Sequence, residues 1–159
     1  MSTNEEVSVR DIKAKLKGYG ELERDIDNQI ERLERLETKM YSVGSPMMSD
    51  MPHAPSATND RMAMMIAQRD ELKARIEHRI AERQAAYEDI ENDLSKLYRA
   101  DQRAIIRMRY LDGETWSYIN HTLYGGCADY QVNEDTYMRK VMRMHGLALV
   151  NMAKNSTDE

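Results

Sequence analysis

The chain has 159 residues and a formal net charge of −5; 32% of its residues are charged and 41% are hydrophobic. This balance favours long, solvent-facing helices over a thick globular core, in one domain or two small ones. No run of about 18 apolar residues is present, so we expect no membrane span. The polar, acidic N-terminal stretch does not resemble a signal peptide, and a single cysteine, Cys127, cannot form an internal disulfide. We therefore expect a reducing, cytosolic setting.

The charge is unevenly distributed along the chain. Residues 1–98 carry 15 Lys and Arg against 20 Asp and Glu, whereas residues 99–149 carry 7 against 6. Taken whole, the negative charge argues against nucleic-acid binding. Since the acidity belongs to the first two thirds, however, the charge of the last third leaves a DNA-binding role open.

Two stretches of the sequence have helical periodicity. Between Ile12 and Met40, apolar residues recur at steps of three and four, an average of about 3.5, which is typical of a helix that packs in coiled-coil fashion. A similar pattern runs from Asn59 to Leu97. The charged residues between the apolar positions indicate a solvated helix face, because such pairs contribute only about 0.2–0.5 kcal/mol each.

Residues 41–59 separate these stretches and contain all three prolines without periodicity, which predicts a loop. The fold prediction for residues 1–99 is therefore a long antiparallel, coiled-coil-like helical hairpin. Because a seam between only two helices is thin, we expect the hairpin to form a homodimer.

Residues 100–153 are predicted to form a small three-helix domain of helix-turn-helix type. Asp112-Gly113 indicates a tight turn, since glycine tolerates a left-handed backbone. Thr115 is the expected cap of a short helix, and Trp116 in that helix is large enough to fill the space between three crossing helices. A basic helix follows, as in helix-turn-helix proteins, where the second helix enters the major groove of DNA by its N-terminal residues.

The connection between the last two helices is predicted to be long. Tyr124–Val132 is expected to be a wing-like or hairpin excursion, after which Asn133 caps the final helix. Val132 and Tyr137 have the spacing of a hydrophobic staple. Residues 154–159 are expected to be a disordered tail.

Specific residues carry a family resemblance. The segment RAIIRMRYLDGETWSYINHTL, residues 103–123, resembles the start of region four of bacterial RNA polymerase sigma factors, although Asn120 stands where that pattern has a small alanine. The wider order of a helix, a loop containing SPMMSDMP, a second helix and the sigma-like end resembles phage-encoded transcription regulators of Gram-positive bacteria, the ArpU-like late-gene family. The resemblance implies a protein that binds double-stranded promoter DNA and contacts the host RNA polymerase.

The predicted DNA-binding residues lie at the start of the last helix. Arg and Lys side chains pair with guanine or phosphate, and Thr hydroxyls with base edges or phosphate. Charge alone favours a solvated basic face, and the turn, the tryptophan and the family resemblance favour DNA binding. The predicted site consists of Glu134, Thr136, Arg139, Lys140 and Arg143.

Two other functions fit the same pattern. Small terminase subunits, which package phage DNA, also combine a helix-turn-helix with coiled-coil parts and assemble into rings. A coiled-coil protein that binds a host protein would use the acidic first part of the chain against a basic partner.

An enzymatic function is not expected. The sequence contains no Walker-type glycine loop, no HExxH and no GxSxG, and nothing in it indicates a cofactor. A zinc site from His121, Cys127 and His145 would lack a fourth ligand, so we predict neither a catalytic nor a metal site.

Overall fold

A computed structural model describes residues 2–44 and 55–157, and within them the chain is all-α. A π-helical turn, Arg107–Leu111, continues the third helix. The helices are α1 (Ser2–Gly44), α2 (Pro55–Ser95), α3 (Ala100–Ile106), α4 (Trp116–Tyr124) and α5 (Tyr130–Thr157). The absence of strands from the described residues and the two long helices α1 and α2 confirm the predicted all-α fold class. None of the described helices is both long and apolar enough to span a membrane.

The loop predicted over residues 41–59 is too long at both ends. α1 continues to Gly44 and α2 already begins at Pro55, while residues 45–54 lie outside the described part of the chain. Tyr41, Ser42 and Val43 include no helix breaker, so nothing stops α1 there. Proline is tolerated in the first helical turn, because the N–H that it lacks would have no intrahelical partner at that point.

Residues Leu22–Arg83 form one compact unit, in which α1 and α2 run antiparallel. Their direction follows from the ion pairs of Asp25 with Arg79 (3.1 Å) and of Glu37 with Lys73 (3.3 Å). The buried side chains of this unit are those of Ile26, Ile76 and Gln29. The other residues between the two helices are half-buried, as expected for a core only two helices thick.

A second compact unit comprises Met1–Glu21 and Gln84–Glu159. Its larger core brings both ends of the hairpin together with α5, and its members are Ile12, Leu16, Tyr19, Ile90, Leu94, Leu97, Ile106, Leu111, Ala148, Leu149, Met152 and Ala153. The predicted domain boundary at residue 100 therefore differs from the way the contacts divide the chain. The reason is packing: α3 and α4 are too short to cover α5, and the hairpin ends bury its C-terminal half.

Ion pairs join the same elements at the edge of this core. Lys15 on α1 lies 2.6 Å from both Asp89 and Asp93 on α2. Arg107 donates two hydrogen bonds of 2.8 Å to the Glu91 carboxylate, a bidentate geometry that fixes the π-helical turn against α2.

A smaller core within this unit holds α3, α4 and α5 together. Its buried members are Ile105, Ile119, Val141 and Met144, with Met108, Trp116, Leu123 and Tyr124 packed around them. The tryptophan is thus half-buried at the edge of this core, not at its centre. Thr115 caps α4 as predicted, since its Oγ1 accepts from the Tyr118 amide at 3.2 Å. Gly113 has the predicted left-handed backbone, with a φ of 72°.

The C-terminal residues were also predicted incorrectly. α5 continues to Thr157, so residues 154–157 are helical, and the last two residues lie outside the described range. Asn155 donates to the Lys96 carbonyl at 3.2 Å and Ser156 to the Met152 carbonyl at 3.0 Å. These bonds, together with burial of Met152 and Ala153, hold the final turns in place.

Candidate nucleic-acid interface

The connection between α4 and α5 is shorter than predicted, because both ends of the predicted segment belong to helices. Tyr124 is still part of α4, and Tyr130 is the first residue of α5, so the wing-like excursion over Tyr124–Val132 is wrong. Tyr130 is buried and lies edge-on to His121 of α4 at 5.6 Å, a packing interaction that draws this segment into a helical turn.

α5 bends at the residue predicted to cap it. Asn133 has φ −119° and ψ 23°, so a single turn from Tyr130 is followed by a kink and then by the main part of the helix. The position of the helix start was therefore close to correct. The proposed staple is wrong, because Val132 is 88% exposed and Tyr137 instead stacks on Tyr124 at 4.9 Å.

Asn120 ties α4 to the first turn of the main part of α5. Its side chain is fully buried, and its Nδ2 donates to the Glu134 carbonyl at 3.2 Å. Its Oδ1 has no hydrogen-bond partner within the described residues. Asn120 therefore places a polar contact between α4 and α5.

The predicted DNA-binding residues lie together on the exposed side of α5. Thr136, Lys140 and Arg143 are at positions i, i+4 and i+7, which share one face of a helix, and Arg139 lies beside them. These four side chains line one open groove together with Asp129, Asn133 and Tyr137. Glu134 is exposed in the first turn but does not line the groove.

The basic residues of the groove differ from the other basic residues of the domain. Arg139 and Arg143 form no ion pair within the described residues, and Lys140 lies over the Tyr124 ring at 4.8 Å. The other four basic residues in 99–149 all have partners: Arg99 with Asp101, Arg103 with the Leu97 and Tyr98 carbonyls, Arg107 with Glu91, and Arg109 with the Glu114 carbonyl.

Asp129 is a fixed acceptor at the edge of the groove that the sequence did not single out. Tyr137 donates its hydroxyl to Oδ1 at 2.8 Å, and Asn133 donates to Oδ2 at 3.0 Å. These hydrogen bonds lower the pKa of Asp129, and the bond to the carboxylate raises the pKa of the Tyr137 hydroxyl. Tyr130 and Tyr137 are seven residues apart, a spacing that places two side chains on the same side of a helix. This spacing was the sequence signal that both tyrosines face the turn between α4 and α5.

A cluster of rings braces α5 on another side. The Tyr110 hydroxyl lies 3.0 Å from Nε2 of His145, and Trp116 lies edge-on to the same imidazole at 4.9 Å. The Arg109 guanidinium lies over the indole at 4.8 Å. Burial lowers the pKa of His145, and the positive charges of Lys13 and Arg109 lower it further.

The arrangement can bind an anion or a polar edge, since hydroxyl, amide and cationic groups converge on an open groove. Among the described residues, no group of three or more His, Cys, Asp or Glu side chains lies close enough to hold a metal ion. Comparison of the chain with protein-family models, with curated proteins and with solved structures gave no match.

Proposed function

We propose that this protein is a DNA-binding transcription regulator of a phage or prophage, similar to sigma region four, that controls late genes. In this proposal the N-terminal half of α5 enters the major groove of promoter DNA, and the protein acts as a homodimer in the bacterial cytoplasm and contacts the host RNA polymerase. It is not an enzyme.

One observation carries the proposal. Arg139, Lys140 and Arg143 lie exposed along the first turns of a helix that follows a short helix and a turn, and none of the three forms an ion pair with an acidic side chain of the described residues. Thr136 and Asn133 add a hydroxyl and an amide, the groups that read base edges and hold phosphates.

The direct test is fluorescence anisotropy with promoter fragments from the phage or prophage that encodes the chain. We expect the triple variant Arg139→Ala, Lys140→Ala, Arg143→Ala to lose at least about tenfold in affinity. The slope of log K against log salt should become less steep by about 2–3, because about 0.9 is lost per phosphate contact.

The matched control replaces two arginines and one lysine that are exposed on α1 and α2. Arg24→Ala, Lys39→Ala, Arg61→Ala changes the net charge equally, and these residues form no ion pair within the described part of the chain. Equal loss of affinity in both variants, or wild-type binding without salt dependence, would rule out the groove as the interface.

The two alternatives give different results in the same preparation. A small terminase-like protein would form a ring of eight or more subunits, which light scattering detects. A coiled-coil protein that binds only a host protein would capture that partner without DNA and would show no promoter binding.

A further inference from the structure

The heptad positions of the unit Leu22–Arg83 can be assigned from burial. The side chains that are buried or half-buried between the helices recur at alternating steps of three and four, which makes them a and d positions. On α1 they are Leu22, Ile26, Gln29, Leu33, Leu36 and Met40, and on α2 Met62, Met65, Arg69, Leu72, Ile76, Arg79 and Arg83.

One flank of this helix pair is apolar where a two-stranded coiled coil is normally charged. The d positions are Leu22, Gln29 and Leu36 on α1 and Met65, Leu72 and Arg79 on α2. The e position follows each d position, and we define the e flank as Glu23, Ile30, Glu37, Ile66, Lys73 and Ile80. Its three isoleucines are 36%, 39% and 40% exposed. Glu37 pairs with Lys73 at 3.3 Å, and Glu23 lies 3.9 Å from Arg83 at an a position, so each charge of the flank has a partner of opposite sign within the hairpin.

The other flank has a different character. Its g positions include Arg32, Gln68 and Arg75, which border an open groove on that side. Glu71 lines the same groove and pairs with Arg75 at 2.9 Å, so this flank is polar and charged where the e flank carries three isoleucines.

Apolar residues at a, d and e together are typical of helices in bundles of more than two helices, whereas a and d alone suffice for a two-helix seam. The described unit has only two helices, and only two apolar side chains, Ile26 and Ile76, are buried in it. A second hairpin packed on the e flank completes a four-helix bundle and removes the three isoleucines from water.

We propose that the e flank binds the e flank of a second copy of this chain. A second copy fits better than a strongly charged partner, because the charges of the e flank are paired within the hairpin and the unit as a whole is nearly balanced, with 10 Lys and Arg against 12 Asp and Glu. A two-fold pair of identical flanks also closes without leaving a further apolar surface. This assigns a surface to the homodimer in the proposed function and does not depend on DNA binding.

The test exploits the Glu37–Lys73 pair. Ile30 is one heptad before the glutamate of this pair, and Ile80 is one heptad after the lysine, so the two isoleucines also lie side by side in the antiparallel hairpin. The double variant Ile30→Glu, Ile80→Lys therefore creates a second ion pair of the same kind within one hairpin. The variant should keep the helical hairpin, as circular dichroism checks, and lose the apolar flank. We expect sedimentation velocity to give twice the 18.5 kDa chain mass for the wild type. The dimer dissociation constant of the variant should be at least about tenfold higher.

The control Asn28→Glu, Gln68→Lys adds the same two charges at exposed positions off the e flank and should remain dimeric. A monomeric wild type at every concentration, a ring of eight or more subunits, or an unchanged dimer in the Ile30→Glu, Ile80→Lys variant would each overturn the proposal. A dimer that fails to bind promoter DNA would overturn the proposed function and leave this one standing.

Discussion

His145 is the residue whose protonation should be easiest to observe. It lies between Tyr110 and Trp116, and its imidazole is half-buried near the charges of Lys13 and Arg109. Burial first, and then the charges of Lys13 and Arg109, disfavour the imidazolium in the folded protein and lower the pKa of His145 below the ordinary histidine value of 6.5.

We therefore expect acid to destabilise the fold through His145. Because the folded pKa is lower than the unfolded one, the unfolded chain binds the proton first, and stability present above pH 6.5 is lost as the pH falls below it. The loss from one group is at most about 1.4 kcal/mol per pH unit.

Urea denaturation of the wild type and of His145→Gln at several pH values, followed by the fluorescence of the single tryptophan, measures this effect. The difference between the two proteins should shrink as the pH falls. A constant difference would mean that His145 does not titrate between the folded and unfolded states.

Gly125 is needed for a steric reason at the end of α4. A Cβ at this position would lie 2.5 Å from the His121 carbonyl oxygen and 2.7 Å from the His121 ring. The ring can rotate, but the carbonyl is held because it accepts from the Gly125 amide at 2.7 Å. Gly125→Ala should therefore cost about 1–3 kcal/mol in the free energy of unfolding.

The neighbouring glycine provides the control for this prediction. A Cβ on Gly126 would meet no atom within 4 Å, so Gly126→Ala should change the free energy of unfolding by less than about 0.5 kcal/mol. Similar destabilisation by both substitutions, measured in urea, would indicate a general dependence on turn flexibility and not a specific contact at Gly125.

At the scale of elements, α1 and α2 have a polar residue inside their shared core. Gln29 is 7% exposed and donates to Asp25 at 3.0 Å, but its amide oxygen has no partner within the described residues. A buried carbonyl without a hydrogen bond costs about 1–3 kcal/mol, so Gln29→Leu should stabilise the protein by about 1 kcal/mol or more.

Thermal or urea denaturation of Gln29→Leu checks this, with the exposed Asn28→Leu as the control for added apolar volume on α1. Destabilisation by Gln29→Leu would show that the amide oxygen has a partner in solution. The same measurement at several protein concentrations tells whether that partner comes from another chain.

The elements that the sequence predicted well are long segments with a regular apolar repeat and turns that are fixed by a cap residue close in sequence. Nine apolar residues from Ile12 to Met40 repeat at the coiled-coil period, and Thr115 and Gly113 each act within three residues of themselves. Such features depend on local backbone geometry, which the order of residues largely determines.

The elements predicted incorrectly depend on contacts that are distant in sequence. Tyr130–Val132 looks like a loop because it follows Gly125, Gly126 and Asp129, yet packing of Tyr130 on His121 makes it helical. The sequence also did not show that Ile66 and Ile80 are exposed, because both fit the apolar period. Only the exposed fractions of the side chains distinguish these e positions from the a and d positions between the helices.

The candidate site was predicted in part for the same reason. Basic residues on one face of α5 follow from helical spacing alone, so Arg139, Lys140 and Arg143 could be selected from the sequence. Asp129 and Asn133 could not, because they reach the groove through the kink at the start of α5. On either side of that kink, Tyr137 donates to Asp129 and Asn120 donates to the Glu134 carbonyl, contacts that a reading of local sequence does not reveal.

For the whole molecule, the net charge of −5 opposes the binding of any polyanion. The proposed interface must therefore attract DNA in spite of the repulsion from the acidic rest of the chain. Glu134 and Asp135 are exposed beside the basic residues of α5 and repel phosphate at short range. A glutamate at the start of a recognition helix can also accept from cytosine, which would favour one base sequence over others.

These considerations predict a specific outcome for Glu134→Gln, Asp135→Asn. Affinity for unrelated DNA should rise by about threefold to tenfold, because two repulsive charges are lost beside the phosphates. Affinity for the promoter should rise less, so the ratio of specific to non-specific binding falls.

The control Asp27→Asn, Glu34→Gln changes the net charge equally on α1, away from the groove residues in sequence. If the control raises non-specific affinity as much, total charge governs binding and the two acids have no local role. Anisotropy titrations with both DNAs at one salt concentration distinguish these results, because screening within about 10 Å limits each charge to its own surroundings.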